Sequence, residues 1–147
     1  LEKNDLLKLI NRTIEYIRSR TNDKVRFEII SKIEEDDKIL LNNALFEWVI
    51  ENLCKNAVDA INGNGTILIH ITQKKKNIFI DVTDTGKGIP KSDFKNVFKP
   101  GYTTKSRGWG LGLTLAKRII EEYHNGKIFV KNSELNKGTT FRIMMRK

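Results

Sequence analysis

Segments of strand length come in adjacent pairs along this chain, and that pairing limits the fold more than any other feature. "KVRFEII" (24–30) alternates Val25, Phe27 and Ile29 with polar residues, and "KILLN" (38–42) is a second short apolar piece. "TILIHIT" (66–72) and "NIFIDVT" (77–83) are joined by Lys74–Lys76, a charged turn. "GKIFVKN" (126–132) and "GTTFRIMMR" (138–146) make a third pair. Helical periodicity lies between them. Leu7, Ile10, Ile14 and Ile17 stripe residues 5–19, with Asn4 as N-cap; a second helix runs from about 43 to 62 and stops at "NGNG"; a third covers 111–123. Single strands alternating with helices would build a parallel, doubly wound sheet, whereas paired strands predict an α+β fold. The expected architecture is a two-layer α/β sandwich. A mixed, mainly antiparallel sheet, with 38–42 at an edge, is covered on one face by three helices. Residues 91–98 are expected as a short helix. The Gly-, Thr- and Lys-rich stretch 99–110 is expected as a long loop, which is uncommon without a function.

The 147 residues suit one domain with one core, and 39% hydrophobic with 31% charged residues fits a soluble globular protein. No apolar run approaches the roughly 20 residues that span a bilayer. The opening "LEKNDLLKLINRT" lacks a signal-peptide pattern and an initial Met, as a piece cut from a longer protein would. Cys54 is the only cysteine, which excludes an internal disulfide and a cysteine metal cluster, fits a cytosolic setting, and reads as buried filler. The net charge is +9, but it is not massed in one arm. No helix-turn-helix, RNP or zinc signature accompanies it, so no nucleic-acid partner is expected.

"FEWVIENLCKNAVDAI" (46–61) poses a problem. Phe46, Val49, Ile50, Leu53, Ala57 and Ile61 make it a core helix. Yet Asn52, Asn56 and Asp59 share one face, although Asn and Asp are weak helix formers that compete for the backbone. Amide oxygens are hard ligands that suit Mg²⁺ held by few protein groups plus phosphate oxygens. Half of the ten glycines fall in two short loops, Gly86 with Gly88 and Gly108 with Gly110 and Gly112. The second set opens into a helix, where free N–H groups and the helix dipole favour an anion. Lys105 and Arg107 lie just upstream. Neither the P-loop pattern nor the dinucleotide fingerprint fits the spacing. Asp84 ends an Ile- and Val-rich strand before Thr85-Gly86. A carboxylate there either caps the turn or accepts from an exocyclic amine, which adenine offers at its six-position, where guanine offers an acceptor.

Taken together, these stretches resemble the ATP-binding domain of sensor histidine kinases. That domain belongs to the ATPase superfamily of gyrase B, the ninety-kilodalton heat-shock chaperone and the mismatch-repair ATPases (the Bergerat fold). "NLCKNAVDA" (52–60) resembles the family's asparagine box, "DTGKGIP" (84–90) its first glycine box, and "VFKPGYTTK" (97–105) its phenylalanine box. "GWGLGL" (108–113) is similar to the second glycine box and "GTTF" (138–141) to the closing Gly-Thr. The resemblance covers about residue 25 to the end.

It implies Asn56 as Mg²⁺ ligand, with Asn52 as a second candidate. Asp84 would bind the adenine amine, supported by the Thr139 hydroxyl. Gly86 and Gly88 would let the chain pass close to the base. Gly108, Gly110 and Gly112 would bind phosphates and hinge an ATP lid over about 91–110. Asp59, Ile89, Phe98, Thr104, Lys105, Trp109, Leu111 and Leu113 complete the implied nucleotide site. Asn52, Asn56 and Lys105 form the implied catalytic set. Many kinases of this kind carry Lys or Arg at the place of Asp59, so Lys55, Lys105 and Arg107 all stand as candidates for the terminal phosphate.

Hydrolytic members of the superfamily place a water-activating Glu four residues before the metal-binding Asn. Asn52 occupies that place here, and Glu51 lies about 100° around the helix. The resemblance therefore implies a kinase rather than a hydrolase. His70, within a strand, and His124, at a helix end, are expected to be structural. The phosphate acceptor would be a histidine on a dimerising domain upstream of Leu1, so the fragment alone would bind ATP without phosphorylating itself. The phosphate would pass on to a response regulator. Dimers would form only in the full-length protein, and the chain would be a cytoplasmic domain, membrane-anchored or not, with residues 1–20 its leading helix.

Overall fold

The computed structural model describes residues 1–34, 37–102 and 112–147. Ten regular elements follow in order: β1 (Glu2–Asp5), α1 (Leu6–Arg18), β2 (Val25–Ser31), β3 (Lys38–Leu41), α2 (Asn43–Ala60), β4 (Gly65–Lys74), β5 (Asn77–Asp84), α3 (Gly112–Arg118), β6 (Lys127–Glu134) and β7 (Gly138–Arg146). Five strands form one sheet in the order β2-β4-β5-β7-β6. The β2–β4 pair is parallel and every other pair is antiparallel. The chain crosses from β2 to β4 through β3 and α2, as a parallel pair requires. The α+β sandwich with a mixed, mainly antiparallel sheet is therefore the observed fold.

Alternation builds the two faces of this sheet. Ile67, Ile69 and Ile71 of β4 and Ile78, Ile80 and Val82 of β5 point inward and are buried, as are Phe141, Ile143 and Met145 of β7. They form one cluster with Leu6, Leu9, Ile10, Ile14 and Ile17 of α1, Phe46, Val49, Ile50, Leu53, Cys54 and Ala57 of α2, and Ala116 of α3. Burying each such aliphatic or aromatic side chain contributes roughly 1.5–3 kcal/mol. On the opposite face Asp81 and Arg142 stand directly across β5 and β7. Arg142 grips the carboxylate with two hydrogen bonds of 2.8 and 2.9 Å. Burial pushes the Cys54 thiol up to about 12, with the Glu51 charge adding to the shift, so Cys54 is inert packing.

Several local expectations are corrected. Residues 2–5 are a strand, and β1 pairs antiparallel with β3 in a separate two-stranded sheet, so 38–42 is not an edge of the main sheet. Asn4 belongs to that strand, and Asp5 caps α1 by accepting from the Lys8 N–H at 3.0 Å. Leu6 and Leu9 take the buried positions of α1, and Leu7 is half-buried. Residues 91–98 form two 3₁₀ turns, Lys91–Asp93 and Asn96–Phe98, instead of one helix. Beyond Arg118 the third helix widens into a π turn, Ile119–Tyr123.

Candidate functional site

Helix α2 enters on Asn42, whose side chain accepts from the Leu45 N–H at 3.0 Å. The Asn42 N–H in turn donates to His124 Nε2 at 3.1 Å, and His124 Nδ1 lies 3.0 Å from the Ile119 carbonyl. Its ring meets Phe46 edge-on, so His124 ties the third helix to the start of α2 as the structural histidine expected. Past the apolar face, Asn52 and Asn56 are half-buried and Asp59 is exposed. Glu51 is half-buried, about 100° around the helix from Asn52, and its charge adds to the upward shift of the Cys54 thiol.

The far end of α2 abuts the loop after β5. The Lys87 N–H donates to the Ala60 carbonyl at 2.9 Å. A methyl on Gly86 would lie 2.5 Å from that same oxygen, and one on Gly88 would lie 2.3 Å from the Glu134 carbonyl. The first glycine loop is therefore clamped between α2 and the β6–β7 hairpin, which also binds it through Asn136 N–H to the Lys87 carbonyl at 2.7 Å. These contacts alone require glycine at 86 and 88.

Asp84 ends β5 at the floor of this clamp and is only 5% exposed. Its Oδ1 accepts from the Gly86 N–H at 2.8 Å, so it does cap the turn. Burial holds its pKa above the usual carboxylate value, and backbone N–H groups of Gly86 and Thr139 pull the other way. Thr139, buried, stands directly opposite Asp84 in the β5–β7 pair. A buried carboxylate beside a buried hydroxyl can accept from one donor and engage a neighbouring acceptor on the same ligand edge.

At the second glycine segment, Gly112 opens the described part of α3, and a methyl there would lie 2.2 Å from Asn52 Oδ1. The structure thus brings Asn52 against the start of α3, with Leu113 half-buried beside it. Phe98 is a core residue. Its ring meets Phe141 edge-on at 6.0 Å, and its carbonyl accepts from Thr114 Oγ1 at 2.8 Å. Ile89 is half-buried and gives its N–H to Ser133 Oγ. Thr104, Lys105, Arg107, Gly108, Trp109, Gly110 and Leu111 lie outside the described residues. Ser133 is the residue that sequence reasoning missed, because a lone serine in a strand carries no motif.

A profile described as histidine kinase-, DNA gyrase B-, and HSP90-like ATPase matches residues 42–147. The chain belongs to this family. Its shared property is ATP binding, and the elements that carry Asn52, Asn56, Asp84 and Thr139 all fall inside the match. Among curated relatives, the sensor histidine kinase ZraS of Escherichia coli K12 is 33% identical over 151 residues, covering 99% of this chain and 31% of ZraS. Among solved structures, the catalytic domain of histidine kinase ThkA superposes with a TM-score of 0.88 at 28% identity, covering 99% of this chain and 97% of that one. A structure of ThkA in complex with the response regulator protein TrrA gives 0.85 at 26% identity, covering 99% of this chain and 41% of that one. The chain spans 19% to 32% of the length of the first curated relatives it matches. Histidine kinase ATP-binding domains are thus what this member of the ATPase family is similar to over nearly its whole length. Among the described residues, no helix is long and apolar enough to cross a membrane.

Proposed function

We propose that this chain is the ATP-binding catalytic part of a two-component sensor histidine kinase. It binds Mg-ATP and transfers the γ-phosphoryl group to a histidine on a separate upstream dimerising domain, for relay to a response regulator. One observation carries the reading: Asp84, a buried carboxylate with a raised pKa, lies at the base of a clamped glycine loop opposite Thr139. Asp84 accepts the adenine amine and Thr139 supports the same edge. Among the described residues no group of three or more His, Cys, Asp or Glu side chains converges to cage a metal. Neutral amide oxygens fit Mg²⁺ that is shared with phosphates, and Asn56, with Asn52 as a second ligand, would hold it. Bound there, the ion supplies charge neutralisation on the phosphate oxygens.

Catalysis is then positioning for in-line transfer. Residues 91–110 act as the lid, and Phe98 anchors its near side to α3 and β7. Gly86, Gly88, Ile89, Asp59, Leu111, Leu113 and the glycines at 108, 110 and 112 complete the nucleotide site, with Thr104 and Trp109 from the lid. Lys55, Lys105 and Arg107 are the candidates for the terminal phosphate. Asn52 in the place of a water-activating Glu, with Glu51 about 100° around the helix, supports transfer over hydrolysis. The protein works as a dimer at full length, on the cytoplasmic side.

Radiolabelled ATP tests this. With Mg²⁺, the isolated chain should release phosphate slowly and take no label on His70 or His124. A separate helical domain with a histidine followed by an acidic residue, from the same full-length protein, should become labelled. Rapid phosphate release with no labelled histidine would instead mark a hydrolase.

A further inference from the structure

A β-bulge in β6 shapes one side of the pocket floor around Thr139. The β6–β7 register shifts between Val130 and Asn132, which places Ser133 opposite Thr139. The extra residue turns Ser133 inward, to the same side as buried Val130 and Thr139. There Ser133 Oγ meets three partners: the Ile89 N–H at 2.7 Å, the Gly138 carbonyl at 3.0 Å and Thr139 Oγ1 at 2.7 Å.

We propose that Ser133 is a positioning residue that sets the proton of Thr139 and the path of the chain at Ile89 for adenine recognition. The inference rests on the ATP reading above. A hydroxyl has one proton and two lone pairs. The Ile89 N–H occupies one lone pair. The single proton of Ser133 then has two possible places. In the first, Ser133 donates to Gly138 and Thr139 donates to Ser133. In the second, Ser133 donates to Thr139, which frees the Thr139 proton to turn outward. The amine edge of adenine presents a donor beside a ring-nitrogen acceptor. Asp84 matches the donor, and the acceptor needs the second arrangement. Ser133 thus makes the Thr139 hydroxyl a switchable donor. Its bond to Ile89 also fixes where the glycine loop leaves the floor.

The test is a double-mutant cycle read by calorimetry with ADP and Mg²⁺, with thermal midpoints measured alongside. Ser133→Cys keeps the shape and loses the strong hydrogen bonds; Ser133→Ala is a second route to the same loss. Each should weaken ADP binding about three- to tenfold, the worth of one hydrogen bond, with the midpoint moving by only a few degrees. Ser133→Thr, which restores a hydroxyl on a strand that tolerates β-branching, should bind within about twofold of wild type. In a Thr139→Ala background, Ser133→Cys should cost clearly less than it does in the wild type, because only the bond to Ile89 is then left to lose. Wild-type affinity in both Ser133→Cys and Ser133→Ala would overturn the proposal, as would a full additive loss in the Thr139→Ala background. A wild-type chain that fails to bind ADP would overturn the ATP reading, and this proposal with it.

Discussion

At the scale of single residues, Asp84 is placed at a cost to the empty protein. Its pKa is raised above the model-compound value of 3.8, burial being the largest cause. Between that value and the raised one, the folded state binds more protons than the unfolded state. Stability therefore falls as pH rises through this window, and Asp84 is destabilising above it. Asp84→Asn should leave the thermal midpoint at pH 7 equal or higher, as scanning calorimetry can check. An amine donor favours the ionised form, so ADP affinity in the wild type should fall as pH drops through the same window. A functional carboxylate trades stability for binding in this way. The sequence shows Asp84 plainly, because a carboxylate after an apolar strand and before Thr-Gly is conspicuous. Ser133 was hidden because its position depends on a bulge, and one extra residue in a strand leaves no mark on periodicity.

At the scale of elements, the glycines divide by what they face. Gly88 has φ +79° and faces the Glu134 backbone carbonyl at 2.3 Å from an added methyl. Neither the strand nor the loop can yield there, so Gly88→Ala should destabilise by about 2 kcal/mol or more in urea unfolding. Among the described residues, Gly112 faces only the tip of the Asn52 side chain. That amide can swing away, and alanine gains up to about 1 kcal/mol of helix propensity, so Gly112→Ala should leave stability within about 1 kcal/mol while weakening ADP binding. Equal losses of stability in the two variants would contradict this division. The hairpin strands and α2 were readable because their core faces repeat strictly, as Ile67, Ile69 and Ile71 do. The small β1–β3 sheet was not, since "EKND" is polar and its partner lies about 36 residues away. Two 3₁₀ turns replaced the expected helix at 91–98 because only Val97 and Phe98 are buried there, too few to hold a helical face.

At the scale of the whole molecule, one cluster of apolar residues joins all three helices to the five-stranded sheet, and the proposed site lies where α2, the loop after β5, α3 and β7 come together. Each contributes one part: amides from α2, a carboxylate from β5, a hydroxyl from β7 and a glycine-led helix start from α3. Together these parts form the proposed adenine nucleotide site, and calorimetric titration of ADP with Mg²⁺ is its most direct test. Saturable binding of one ADP per chain is expected, weakened at least about tenfold by Asp84→Asn, since a hydrogen bond to a charged group is lost. No binding by the wild-type chain, or equal binding by Asp84→Asn, would contradict it.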